Sequence, residues 1–181
     1  MTFTFFQAYC GSRTLKLLPV TLTICFITFT QILAAESNES WRLMLNDNSL
    51  EEWHNPFDWG EASVVDNEIV LTGEKKFFLV SKESYKDFEL EVELNVPAGG
   101  NSGIQFRSHY HHNRLWGYQA EVDTSDRQWA GGLYDEGRRG WLVPLKDNPT
   151  AQAAFKNSAW NHYRIRAVGD HIQIWVNGIA T

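Results

Sequence analysis

The sequence predicts an all-β domain, a sandwich or jelly roll of antiparallel strands. Three observations carry this reading. Apolar and polar residues alternate with period two along several segments. Gly169-Asp170 and Asn177-Gly178 supply hairpin turns beside two of those segments. Only one short patch, 150–155, has helical spacing. The chain has 181 residues, which suits one domain. Its 8 Trp, 11 Phe and 6 Tyr exclude a disordered chain. A net charge of −6 leaves no basic excess for nucleic acid, so no nucleic-acid partner is expected.

The first 40 residues differ from the rest. They hold both cysteines, Cys10 and Cys25, and no Trp. Arg13 and Lys16 precede an apolar run from Leu17 to Ala35, with no acidic residue before Glu36. A basic start, an apolar middle and a small-residue end read as a secretory signal, with cleavage after Ala35 or Ser37. An uncleaved anchor is the alternative, since spanning a bilayer takes ~20 apolar residues. The expectation is a signal or anchor plus short linker over 1–40 and a folded domain over 41–181. The protein is then exported, periplasmic or extracellular, and meets a membrane only through that first segment. Residues 41–181 contain no cysteine. That excludes disulfides, thiolate zinc sites and a cysteine nucleophile from the domain.

Taken in chain order, short strands are expected at 41–45, 63–65, 68–72 and 77–80. Phe88, Leu90, Val92, Leu94 and Val96 then face one way and Glu89, Glu91, Glu93 and Asn95 the other, a long strand buried on one side. Pro97-Ala98-Gly99-Gly100 ends it. In the next strand Ile104 and Phe106 oppose Gln105 and Arg107. In the one after, Tyr118, Ala120 and Val122 oppose Gln119, Glu121 and Asp123. A short strand at 131–134 and the pair Tyr163–Val168 and Ile172–Val176 complete the set. Glu89, Glu91 and Glu93 are expected to form a solvated sheet face.

The polar faces are where chemistry is expected. Arg107, Glu121 and Asp123 precede loops rich in Trp, Tyr, Arg and Gly that would wall a cleft. His109, Trp116, Tyr134, Arg138, Arg139 and Trp141 lie in or beside those loops. Indole rings stack on sugar C–H faces, while guanidinium, carboxylate and amide groups bond hydroxyls. Trp41, Trp53, Trp160 and Trp175 are assigned to the core. His109, His111 and His112 have the residue type for zinc or iron, but nothing completes a ligand set at convincing spacing. No metal or cofactor is expected.

Several blocks resemble one known family. They begin with Trp41…Leu45-Asn46-Asp47…Leu50-Glu51-Glu52-Trp53 and Tyr85-Lys86-Asp87-Phe88-Glu89-Leu90. Gly100-Asn101-Ser102-Gly103-Ile104-Gln105-Phe106-Arg107-Ser108 is the most specific, followed by Gly117-Tyr118-Gln119-Ala120-Glu121-Val122-Asp123 and Gly132-Leu133-Tyr134-Asp135-Glu136. Trp160-Asn161-His162-Tyr163 and Val176-Asn177-Gly178 close the series. In this order they resemble the 3-keto-disaccharide hydrolase domain family. The resemblance implies a concanavalin A-like jelly roll, related in fold to family 16 glycosidases, with an oligosaccharide or glycoside as substrate. Family members continue past the Val-Asn-Gly turn, so this chain is expected to lack closing strands and to present an unpaired edge.

The resemblance implies cleavage of 3-keto-glycosides. A ketone at C3 acidifies the C2 hydrogen, a base removes it, and the C1 substituent leaves; water then adds back. On the facing residues, Glu121 or Asp123 is the base. Arg107 and Tyr134 hold the enolate, and Asn101, Gln105 and Gln119 bind hydroxyls. Two alternatives stand beside this. Glu121 and Asp123 could act as the paired carboxyls of a direct glycosidase, or the domain could bind glycans without catalysis.

Overall fold

The structure, a computed structural model, describes residues 2–12, 40–45 and 47–181. The first half of the chain gives β1 (Thr2–Ser12), β2 (Ser40–Leu43), β3 (Trp53–His54), β4 (Glu61–Val65), β5 (Glu68–Thr72), β6 (Val80–Ser81) and β7 (Phe88–Asn95). There follow β8 (Asn101–His111), β9 (Arg114–Asp123), β10 (Leu133–Glu136), β11 (Gly140–Val143), α1 (Pro149–Gln152), β12 (Trp160–Val168), β13 (His171–Val176) and β14 (Ile179–Ala180). One sheet has the order β14-β13-β12-β7-β1-β5-β4, with β2 also paired to β1. The other has the order β11-β10-β9-β8, and β3 pairs β6 apart from both. All pairings are antiparallel, as a jelly-roll sandwich requires.

Alternation places the core. Phe88, Val92 and Leu94 of β7, Tyr163, Ile165 and Ala167 of β12, and Ile174 and Val176 of β13 pack against Ile104 and Phe106 of β8 and Ala120 and Val122 of β9. Burying one such large apolar side chain contributes about 1.5–3 kcal/mol. Trp53 packs on this core and on a smaller one of Leu45, Ile69 and Leu71, and its indole N–H donates to Met44 O at 2.8 Å. Trp41 and Trp160, which the sequence assigns to the core, are instead exposed. Trp175 lies half-buried beneath the Arg164 guanidinium, 4.9 Å from it.

Other expectations also needed correction. The strand at 77–80 is reduced to β6, because Phe77 turns to pack over Gly60, whose Cβ position would lie 2.4 Å from the Phe77 ring. The helical patch is four residues long, started by the Asn148 side chain accepting from Ala151 N at 3.1 Å. No strand was expected before residue 41, yet β1 pairs β5 from Thr2↔Thr72 and β7 from Thr4↔Asn95. Its local signal is the Thr2-Phe3-Thr4-Phe5 alternation. Arg13, Lys16 and the apolar run to Ala35 lie outside the described residues. On the outer face of β7, Glu89 is buried rather than solvated, because Arg164 and Arg166 both pair with it.

Two of the family-like blocks meet in one buried junction. Asn161 is fully buried. Its amide nitrogen donates to Lys156 O at 2.8 Å and Ala159 O at 2.9 Å, and its oxygen accepts from Lys156 N and Asn177 Nδ2, both at 2.8 Å. Asn177 has φ 49° at the turn and also accepts from His162 N at 2.9 Å. The β12 start and the turn after β13 are thereby tied together.

Candidate functional site

The β8–β9 register builds the site. Asn101 opposes Asp123, Gly103 opposes Glu121, and Gln105 opposes Gln119. These side chains share the face that looks away from Ile104, Ala120 and Val122, because successive strand residues point to opposite faces. β10 adds Tyr134 beside Gln119, and β11 adds Trp141 beside Tyr134.

Glu121 is the centre, with 4 % of its surface exposed. Asn101 Nδ2 donates to its Oε1 at 2.6 Å and Gln119 Nε2 to its Oε2 at 2.9 Å. Gln105 Nε2 donates in turn to Gln119 Oε1 at 3.2 Å. The main chain of Glu121 is pinned as well. Its carbonyl accepts from Gly131 N at 2.8 Å and from the Tyr163 hydroxyl at 3.0 Å, and its N–H donates to Gly132 O at 3.0 Å. Gly103 has a steric reason: a Cβ there would lie 2.2 Å from Gln119 Cδ, so only glycine lets Gln119 lie across β8 toward Glu121. The Asn-Ser-Gly-Ile block thus supplies a donor to Glu121, room for Gln119 and a core residue.

The two neighbouring carboxyls are driven apart. Burial raises the Glu121 carboxyl above its usual value, outweighing the hydrogen bonds from Asn101 and Gln119 and the charge of Arg127. Burial works the same way on Asp123, but bonds from Ser125 and Arg127 outweigh it and hold Asp123 low. Asp123 Oδ1 accepts from Ser125 N at 3.0 Å and Oδ2 from Arg127 Nε at 2.8 Å. The environments of the two carboxyls thus push their proton affinities in opposite directions, Glu121 up and Asp123 down.

Arg127 and Trp129 escaped the sequence reading. The Arg127 guanidinium lies over Trp129 at 5.1 Å and Trp141 at 4.9 Å. Those indoles meet edge to face at 4.9 Å, and Tyr134 meets Trp141 at 5.1 Å. The available signal was Arg127 four residues after Asp123 and two before Trp129. A cavity of about 600 Å³ is lined by Asn101, Gln105, Arg107 and Gln119 together with Leu71 and Phe77, while Glu121, Arg127, Trp129 and Trp141 do not line it. That size suits a small-molecule ligand.

Other expected site residues lie elsewhere. Arg107 sits at a bulge with φ 49°, which breaks the alternation that would have aimed it beside Gln105. Its guanidinium donates to Lys86 O at 3.1 Å, Gly169 O at 2.7 Å and Asp87 Oδ1 at 3.3 Å, so it staples β7 to the β12–β13 turn. Arg138 and Arg139 clamp fully buried Asp135 and lie over the Tyr118 ring. Asp135 opposes Tyr118, so this clamp belongs to the sheet face opposite Glu121. His109 stacks on Trp116 at 5.8 Å along the β8–β9 arm, beyond Gln105 and Gln119. The structure therefore gathers Asn101, Gln105, Gln119, Glu121, Asp123, Tyr134 and Trp141, and separates Arg107, His109, Trp116, Arg138 and Arg139 from them. Among the described residues no three His, Cys, Asp or Glu side chains come together as a metal site.

An antiparallel sandwich with amides, carboxyls, a guanidinium and indoles on one sheet face defines a domain equipped for sugars. The family described as the 3-keto-alpha-glucoside-1,2-lyase-like domain matches residues 40–181, and the chain belongs to it. Its general activity is accordingly on carbohydrates. No curated protein matches the chain.

Proposed function

We propose that this domain cleaves 3-keto-glycosides by elimination across C1 and C2, with Glu121 as the base. Glu121 takes the C2 proton, the C–H electron pair forms the enolate, and its collapse expels the C1 oxygen, which takes that proton from Glu121 and leaves as the alcohol. The product is a C1=C2 enone; adding water across it gives the free 3-keto sugar, for net hydrolysis. The observation that supports this reading is the buried Glu121 carboxyl, held by two amide donors and raised in proton affinity, in a chain of a 1,2-lyase-like family. A base is most effective when its pKa approaches the working pH. Asp123 is less suited, since the bonds from Ser125 and Arg127 hold its proton affinity low.

The test is a synthetic 3-keto-glycoside with wild type and Glu121→Gln, following alcohol release and exchange of the C2 hydrogen in D2O. Both signals should fall about 10²-fold or more in the variant. Unchanged turnover by a folded Glu121→Gln protein would remove Glu121 from the chemistry. Cleavage of an unoxidised glucan would favour the direct glycosidase, and saturable glycan binding with no product would favour a binding module. We also propose export, resting on Arg13, Lys16 and the apolar run that follows; cleavage after Ala35 or Ser37 would remove β1 from the sheet and leave the family-matched span 40–181 as the mature domain. Amino-terminal sequencing of protein recovered from the cell envelope and medium tests it; a start at Met1 in the cytoplasm would oppose it.

A further inference from the structure

Elimination from a 3-keto sugar places negative charge on the C3 oxygen as the C2 proton leaves. A site for that step needs a donor or cation aimed at this oxygen. Arg107 is committed to two backbone carbonyls and Asp87, and Arg138 and Arg139 serve Asp135 on the other sheet face. Among the described residues Arg127 reaches the site by geometry: it pairs with Asp123 at 2.8 Å, and Asp123 and Glu121 lie two residues apart on the same face of β9.

We propose that Arg127 binds the enolate oxygen of the substrate and that Asp123 is its positioning residue, an inference that rests on the elimination reading above. Asp123 Oδ2 holds Nε at 2.8 Å. The guanidinium also lies over the Trp129 ring at 5.1 Å and the Trp141 ring at 4.9 Å. Among the described residues its two terminal nitrogens make no hydrogen bond, and 41 % of the side chain is exposed. One edge of the fork is therefore anchored and the other is presented to a ligand. A planar fork stacked on indoles is a role that lysine does not fill. In this arrangement Asp123 orients Arg127 rather than taking the proton, in keeping with the bonds from Ser125 and Arg127 that hold its carboxyl low.

The experiment compares wild type, Arg127→Ala, Arg127→Lys and Asp123→Asn on the same 3-keto-glycoside, with thermal melting to establish folding. Arg127→Ala should lose about 10²–10³-fold in kcat with a smaller change in KM, because the contact forms as charge develops. Arg127→Lys should recover only part of that loss. Added guanidinium ion should restore activity to Arg127→Ala in a saturable way, which a purely structural role would not allow. Asp123→Asn should lower kcat and make no difference to guanidinium rescue. If Glu121→Gln is inactive while Arg127→Ala keeps kcat within about threefold of wild type, the inference is overturned and the elimination reading stands. If wild type releases no alcohol and exchanges no C2 hydrogen, the elimination reading fails and this inference falls with it.

Discussion

Replacing Asn161 by alanine tests whether the Trp-Asn-His-Tyr block is structural. The substitution removes four hydrogen bonds, two donated to the Lys156 and Ala159 carbonyls and two accepted from Lys156 N and Asn177 Nδ2. At about 1 kcal/mol net per bond the loss is about 4 kcal/mol. Lys156 is exposed, so water can recover part of it, and about 3 kcal/mol is expected. Asn177 Nδ2 keeps its bond to Ala154 O at 2.8 Å, which limits the damage at the turn. Against a total stability of about 5–15 kcal/mol this is large. It corresponds to a melting temperature lower by about 6–12 °C for a domain of this size. Urea denaturation followed by tryptophan fluorescence measures it, with an unchanged m-value as the check on two-state behaviour. Asn157→Ala, which loses one bond to Thr124 O at 3.1 Å, serves as comparison and should cost less than about 1 kcal/mol. An Asn161→Ala loss no greater than that of Asn157→Ala would refute the reasoning.

Tyr163→Phe should cost only about 1 kcal/mol despite complete burial, since the Glu121 carbonyl keeps its bond from Gly131 N; urea midpoints measure this. Burial works to raise the Asp135 carboxyl, but Arg139 and Arg138 hold it low, so its stabilising contribution is complete above the unfolded carboxyl value of about 4. That contribution is lost as pH falls through the folded value, and Asp135→Asn should flatten the acid limb of a stability-against-pH curve. Glu121 carries the opposite sign: its raised value stabilises the fold below the unfolded value and the contribution fades as pH rises, so Glu121→Gln should be relatively more stable toward neutral pH. Gly103→Ala should melt within a few degrees of wild type yet lose turnover, because the added methyl displaces the Gln119 amide from Glu121. Arg107→Ala should lower the urea midpoint through three lost bonds while leaving kcat per folded molecule within about twofold.

Much of the fold was legible because strand alternation is a local property. Phe88 to Asn95, Ser102 to Phe106 and Tyr163 to Val168 display their faces residue by residue, and the core follows from them. Short strands were harder. Gly140 to Val143 is too brief for a period to emerge, and β6 is decided by its pairing with Trp53 and His54. In the site, Asn101, Gln105, Gln119, Glu121 and Asp123 were found by facing alone. Arg107 was misaimed because a single bulge reverses orientation. Arg138 and Arg139 were misplaced because Asp135 draws both to the far side of the sheet.

The sequence by itself determined the strand-rich class, the polar and apolar faces and the family, since each depends on residue type at a fixed local interval. Tertiary structure decided which carboxyl is buried against amides, which is tied to a cation, and that Arg127 rather than Arg107 stands near Glu121. The physical reason is that burial, charge and hydrogen-bond partners are set by residues far apart in the chain. Glu121 owes its state to burial, to Asn101 and to a Gln119 for which Gly103 clears space, while a tyrosine 42 residues away pins its carbonyl.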